Sequence, residues 1–544
     1  MAGLLSASQP RRVSAMTDHH LASKIQPRRV QAAALVGVIT AIVGSADLAR
    51  AATTALSGVW LRVDSNQELR ADGKEGLPFT PRGLAEYTRI KAELKSGKLQ
   101  DLATELCLPE GMPRALLGPY PMQIITTPGQ ITFAHEANRA FRTVQLTKAH
   151  ADPAIWDPSY MGDGIGTWQG DTLKIDSTNF KSDQIYLDAT GLPASPRLHV
   201  VENIRLTQNG QQLEDVVTID DPDTFTRPWT SRQVFVRRPD IDLRTDWVCG
   251  EPHRDLSQLK VSTPPTKLDP TAPGLSEAQL AFNGFWKGAR GPGGAQPGPP
   301  PGPPGGDPAY GAPGGPGAQG APGGPGGPGP RRGPPQDGVG STARRYQLDW
   351  ALAFTDSFRK AEASGEQQRT PNNLCLPSAV PGTGVPGGGA YGIALLVEPG
   401  QVSFLYEENR TIRIVYMDRT ARDARTQSWL GHSTGHWEGD VLVIDTVGFN
   451  DMNMLTEGVP MTAKMQVNQR LRIVDGKLVD EARFTDPGAF TAPFSVTSRF
   501  ERSQPFQEYI CAENNHEGGV PTAHGVPTQA AFKVPLTQTQ PKTN

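Results

Sequence analysis

The sequence lacks charge imbalance, long apolar runs, and an abundance of cysteines or aromatics, and each shortage excludes something. Across 544 residues, 53 Lys and Arg face 56 Asp and Glu, a formal net charge of −3. That balance gives no electrostatic case for a nucleic-acid partner. Aromatic residues make up 7% and charged residues 20%, which suits a soluble globular protein with a disordered part. The small and apolar run Ala32 to Ala46 covers 15 residues, short of the ~20 a bilayer crossing needs. Four cysteines, Cys107, Cys249, Cys375 and Cys511, are all that remain to cross-link the chain.

That run sits inside a targeting-like segment, residues 1–51. Lys24, Arg28 and Arg29 precede it, and Ala49-Arg50-Ala51 follows as a small-x-small cleavage signal. The expectation is an exported, periplasmic or secreted protein with no transmembrane segment after cleavage. Arg28-Arg29 also hints at a twin-arginine route, though Pro27 and the residues that follow do not continue that pattern. An even cysteine count in an exported chain points to disulfides.

What the chain does have is one unit written twice. Pro128-Gly129-Gln130-Ile131-Thr132-Phe133 returns as Pro399-Gly400-Gln401-Val402-Ser403-Phe404. Glu136-Ala137-Asn138-Arg139 returns as Glu407-Glu408-Asn409-Arg410, and Arg142 as Arg413. Gly166-Thr167-Trp168-Gln169-Gly170-Asp171 returns as Gly435-His436-Trp437-Glu438-Gly439-Asp440. The order is kept throughout, so internal duplication is the reading. The cysteines follow the same register. Cys107 and Cys375 each precede Leu-Pro, and Cys249-Gly-Glu mirrors Cys511-Ala-Glu. The economical scheme joins Cys107 to Cys249 and Cys375 to Cys511. Closing loops of that length adds ~4–5 kcal/mol in the chain-entropy model.

Within each unit, strand signals dominate. Alternating segments are punctuated by Pro128-Gly129, Asn209-Gly210 and Asp475-Gly476, the turn chemistry of hairpins. Thr80-Pro81 before Gly83 predicts a capped helix start, and residues 346–363 hold the equivalent place. The predicted fold class is mainly β: two tandem antiparallel β-barrels of eight or so strands, each with one short helix. A closed barrel leaves no exposed edge and can hold a ligand. Unit one is expected over 52–260, a linker over 261–278, unit two over 279–518 and a flexible tail over 519–544. The Gly/Pro-rich insertion 288–336 lacks the residues to bury apolar surface and is expected to be disordered. Its glycines do not recur strictly every third residue, which excludes collagen.

Each unit opens on Gly-x-Trp, Gly58-Val59-Trp60 and Gly284-Phe285-Trp286. This resembles the first strand of lipocalin-like barrels, and the resemblance implies an apolar interior pocket for a small hydrophobic molecule. The block from Gly431-His432-Ser433-Thr434-Gly435 to Val447-Gly448-Phe449-Asn450 is similar to the signature of a broad family of exported bacterial proteins of unassigned function. Asp157 to Gly162 and Asp221 to Trp229 are similar to that family's other blocks. This resemblance implies fold and export, and no chemistry.

Several residues are candidates for function. Gly431-His432-Ser433-Thr434-Gly435 spells a nucleophile elbow, but a Gly-Asp turn and a strand follow where a helix is required, so a Gly-rich loop is the plainer reading. His432, His436 and Asp440 would share one face of a helix, but Gly431, Gly435 and Gly439 argue against one. In a strand they would span ~13 Å, so no metal site is expected. His432 or His199, with a nearby carboxylate, is the candidate acid–base group of an enzyme. Asp176 and Asp445 are expected to pair with Arg142 and Arg413, or with Arg205 and Arg472. The same arginines are candidates for an acidic ligand. Trp168 and Trp437 are core residues or a stacking wall for a ring. Glu136, Glu407 and His436 complete the ligand-binding candidates. No cofactor is implied. The favoured partner is a small hydrophobic or ring-bearing molecule; the alternatives are a hydrolase, lyase or isomerase, or a structural scaffold.

Overall fold

The computed structural model describes residues 55–511, apart from 106–107, 147–148, 184, 246–273, 290–353, 364–376, 378–390, 418–426, 452 and 457–458. The targeting-like segment, most of the expected linker, nearly all of the Gly/Pro insertion, the tail and Cys107, Cys249 and Cys375 lie outside the described residues. Cys511 is disulfide-bonded.

The first barrel closes on nine strands: β1 Gly58–Arg62, β2 Met122–Thr127, β3 Gln130–His135, β4 Phe141–Gln145, β5 Asp163–Gln169, β6 Thr172–Thr178, β7 His199–Thr207, β8 Gln212–Asp220 and β9 Trp229–Arg237. The second repeats the plan with β10 Gly284–Gly288, β11 Gly392–Glu398, β12 Gln401–Tyr406, β13 Ile412–Met417, β14 His432–Glu438, β15 Val441–Val447, β18 Gln466–Val474, β19 Lys477–Thr485 and β20 Phe494–Arg502. A two-stranded ribbon, β16 Met454–Thr456 and β17 Val459–Pro460, lies outside the barrel order. The expected mainly-β class with two barrels is what the chain forms. The barrels are not purely antiparallel, however: β4 and β5 run parallel, as do β13 and β14. A parallel neighbour needs a connection of a dozen or more residues, and the sequence separation between the strands of each pair meets that requirement.

The Gly-x-Trp opening has a physical basis in both barrels. Trp60 donates its indole N–H to the Leu56 carbonyl at 2.9 Å, and Trp286 donates to Phe282 at 3.0 Å. An arginine from the last strand lies over each ring: Arg237 is 4.2 Å from the Trp60 centroid and Arg502 is 3.8 Å from that of Trp286. Gly58 has φ +134°, and a Cβ there would fall 2.7 Å from Arg237. Gly284 is in the same position under Arg502. Glycine lets the arginine cross.

Helix α1, Pro81–Ser96, begins as the sequence predicts: Thr80 accepts from the Gly83 N–H at 2.9 Å and Gly97 closes the helix in the left-handed conformation. Helix α4, Asp356–Ala363, is its counterpart. Two four-residue helices, α2 Leu102–Glu105 and α3 Glu277–Leu280, add to the one expected per unit.

Strands β2 and β3 are buried on both faces, as are nearly all residues of β11 and β12. One face points into its own barrel. The other forms a shared apolar layer, in which Ile125, Ala134 and Phe141 meet Leu396, Leu405 and Ile412. The two barrels therefore pack side to side. Glu398, half-buried between them, accepts from Ser57 at 2.5 Å and from the Thr126 N–H at 3.1 Å.

Candidate functional site

Strand alternation decides which candidates face inward. On β7, Val200, Glu202 and Ile204 are buried while His199, Val201 and Asn203 are half-exposed. On β6, Leu173, Ile175 and Ser177 are buried, which leaves Asp176 on the outer face. The expected pairing of Asp176 with Arg142 is therefore wrong: the two stand on opposite sides of the barrel wall. Arg142 instead makes a forked ion pair with Glu202, at 2.5 and 2.6 Å. Asp445 likewise lies outside and accepts from Asn468 at 2.5 Å. Arg205 pairs with Glu214 and Arg472 with Glu481.

The interior of barrel one thus carries a polar layer of Arg142, Glu202 and Asp215. Arg142 also lies over the Phe133 ring, 4.6 Å from its centroid. Desolvation, with Glu202 adjacent, raises the Asp215 carboxyl well above the usual range. His135, on the same inner face, is pushed down to about 3 by burial and by the positive charge of Arg142 and Arg410. The layer holds one cation against two carboxyl groups.

Barrel two has the same layer in the same register. Phe133 pairs with Arg142 as Phe404 does with Arg413; Ile175 faces Glu202 as Ile444 faces Gln469; Ile204 faces Asp215 as Leu471 faces Asp480. The chemistry differs. Arg413, 1% exposed, donates to Ser433 at 2.9 Å, Thr446 at 2.8 Å and Gln469 at 2.8 Å, all neutral. Gln469 relays the contact to Asp480 at 2.8 Å. Burial pushes Asp480 up to about 7 despite Gln469 and Arg413. Arg413 also hydrogen-bonds the Tyr406 hydroxyl. Among the described residues, Trp437 Nε1 and Asp480 Oδ1 are buried without a hydrogen-bond partner, as are Trp168 Nε1 and Arg142 Nε in barrel one.

Trp168 and Trp437 stand on the inner faces of β5 and β14. Trp168 packs on the first barrel's core, and Trp437 meets Phe282 edge-on at 5.2 Å. Ser433 is no nucleophile elbow. It lies within β14, 2% exposed, bonded to Arg413 and Thr446. The expected Gly-rich loop is a strand. Gly435 is needed there because a Cβ would lie 2.8 Å from Val415 and 3.0 Å from the Val443 carbonyl. His432 and His436 occupy the outer face of that strand, and His436 pairs with Glu438 at 3.3 Å. Glu136 and Glu407 hold backbone: Glu136 accepts from the Arg244 N–H at 2.9 Å and Glu407 from Gly392 at 2.6 Å.

A second cluster lies on the outer face of barrel one. His199 contacts Asp176 at 3.0 Å, and His150, from the β4–β5 crossover, bridges Asp163 and Asp176 at 3.1 Å each. Against the cost of partial burial, hydrogen bonds from His199 and His150 hold Asp176 below the usual carboxylate range. The structure thus brings together Arg142 with Glu202, and His199 with Asp176. It separates both sets from Glu136, Glu407 and His436.

No protein-family model matches the chain, and no curated protein matches it. Among solved structures it is similar to a secretary abundant heat soluble (SAHS) protein from Ramazzottius varieornatus. The two are 9% identical over 34% of this chain and 95% of that one, with a TM-score of 0.17. At that score the likeness carries no weight, and strand pairing alone defines the barrels. No helix among the described residues is long and apolar enough to cross a membrane.

Proposed function

We propose that the protein is an exported binding protein that holds a small, apolar or ring-bearing molecule inside a barrel. The observation that carries this reading is the pair of indole N–H groups, Trp437 Nε1 in barrel two and Trp168 Nε1 in barrel one, each on an inner face and without a partner among the described residues. Buried donors are nearly always satisfied, by the protein itself or by an ordered molecule, so an exception marks a place where a water or a ligand sits. Apolar walls with a few convergent polar groups are the usual make-up of a small-molecule site. In barrel two, Phe404, Leu442 and Ile444 belong to the apolar core inside the barrel. Export rests on residues 1–51, and the mature chain is expected to begin at Ala52. The test is extraction of the chain purified without denaturation. A discrete compound should accompany it and should be retained less well by Trp437→Phe. A chain that yields no compound and retains none from a mixed panel of small aromatic and aliphatic molecules contradicts the reading.

A second reading has its own observation, the His199–Asp176 pair. On that reading His199 is a general base for a hydrolase, lyase or isomerase. A turnover found by substrate screening would fall ~10²–10⁴-fold in His199→Ala. A turnover unchanged in that variant excludes it.

A further inference from the structure

The two barrels place the same arginine in the same register, so each serves as a control for the other. In barrel one the guanidinium of Arg142 is closed by Glu202, which takes both terminal nitrogens at 2.5 and 2.6 Å. In barrel two the residue at that position is Gln469, whose amide oxygen takes only Nη2. The remaining carboxyl, Asp480, reaches the arginine through Gln469. Barrel two is therefore one carboxylate short of barrel one, and the partners of the buried Arg413 side chain among the described residues, Ser433, Thr446, Gln469 and the Tyr406 hydroxyl, are all neutral. The small residues differ in the same direction. Gly164 and Ser177 face each other in barrel one, whereas Ser433 and Thr446 face each other in barrel two and fix the Arg413 fork with their hydroxyls. His135 of barrel one is replaced by Tyr406, whose hydroxyl hydrogen-bonds Arg413.

We infer that barrel two binds a monocarboxylate, its carboxylate seated on Arg413 and Tyr406 in the role that Glu202 plays for Arg142, and that barrel one is closed to such a ligand by its own side chain. The inference rests on the small-molecule reading above and narrows it to an acid and to one barrel. A planar guanidinium that no carboxylate of the chain contacts matches one from a ligand, and the phenol hydroxyl beside it supplies a further donor. The ligand's body would run along the apolar wall that includes Phe404 and Trp437.

The test uses matched pairs of probes on the full chain: indole-3-acetate against indole-3-ethanol, and dodecanoate against dodecanol. Affinity is read by calorimetry. The acids should bind and the alcohols should bind about 10- to 100-fold more weakly, the worth of a hydrogen bond to a charged group. Arg413→Gln should bring the acids down to the level of the alcohols. Gln469→Glu, which puts a carboxylate where barrel one has one, should abolish acid binding and raise the melting temperature. Glu202→Gln should open barrel one and add a second acid site. Equal binding of acid and alcohol overturns the carboxylate inference and leaves the small-molecule reading standing. If acids bind with undiminished affinity to Gln469→Glu, the site is elsewhere and the inference fails. If no probe binds and Gln469→Glu lowers the melting temperature, Arg413 is not short of a carboxylate and the inference again fails; a co-purified neutral compound would still support the broader reading.

Discussion

Single residues decide the difference between the barrels, and alternation along the strands shows which ones. Glu202 lies between Val200 and Ile204, Asp215 between Leu213 and Val217, Gln469 between Val467 and Leu471, and Asp480 between Leu478 and Ala482. A polar residue at an apolar register was the available signal for the site, and it was legible in the sequence. What misled the reading was Asp176, which ends an apolar run but is offset by one position from Ile175 and so points outward. Asp480 gives a direct check. Its carboxyl is raised to about 7 by burial, while an unfolded Asp ionises near ~3.8. Between those values the native state binds the additional proton, so stability falls as pH rises from about 4 to about 7 and then levels off. Asp480→Asn removes that fall. Thermal melts should show the variant gaining on the wild type by on the order of 2–4 kcal/mol between pH 4 and pH 8. A pH-independent difference means that folding leaves the ionisation of Asp480 unshifted, against burial as its cause.

At the scale of elements, the turns, the hairpins and the helix start were read from local chemistry, because Asn209-Gly210, Asp475-Gly476 and Thr80-Pro81 act through their own backbone. The parallel pairs β4–β5 and β13–β14 were not, because nothing local distinguishes a crossover from a long hairpin loop. Thr80 has two duties. It caps α1 through Gly83, and its hydroxyl donates to the Asp223 carbonyl at 2.9 Å in the turn before β9. Thr80→Ala should cost about 1–2 kcal/mol in chemical denaturation, the upper part of the range for a lost cap. Thr80→Ser should recover most of it. A cost under a few tenths would mean that α1 is not held at that end.

For the whole molecule, duplication was legible but the docking of the two copies was not, since β2, β3, β11 and β12 read equally well as core strands of isolated barrels. Besides Glu398, a polar tie across the interface is Arg410. It donates to the Phe141 carbonyl of barrel one and to Glu508 at 2.6 Å, while Glu508 accepts from the Tyr160 N–H at 2.6 Å. Removing one partner of a buried ion pair strands the other, at about 3–5 kcal/mol. Arg410→Ala should therefore split one calorimetric transition into two, one for each barrel; a single, uniformly lowered transition would show that the barrels unfold as one even without the tie. Peptide mapping without reduction should find Cys375–Cys511 and Cys107–Cys249, one bond within each unit. A bond joining Cys249 to Cys375 contradicts the two-unit scheme.

Occupancy of a barrel by a small molecule is the central claim, and native mass spectrometry of the intact chain tests it most directly. The chain is incubated with dodecanoate and indole-3-acetate in turn, as wild type and as Arg413→Gln. The expected result is a one-to-one adduct on the wild type that dissociates on unfolding and is much reduced in the variant. The bare mass alone, with no adduct at any concentration that leaves the chain folded, would contradict an account in which the buried Arg413, held by neutral partners only, exists to meet a ligand.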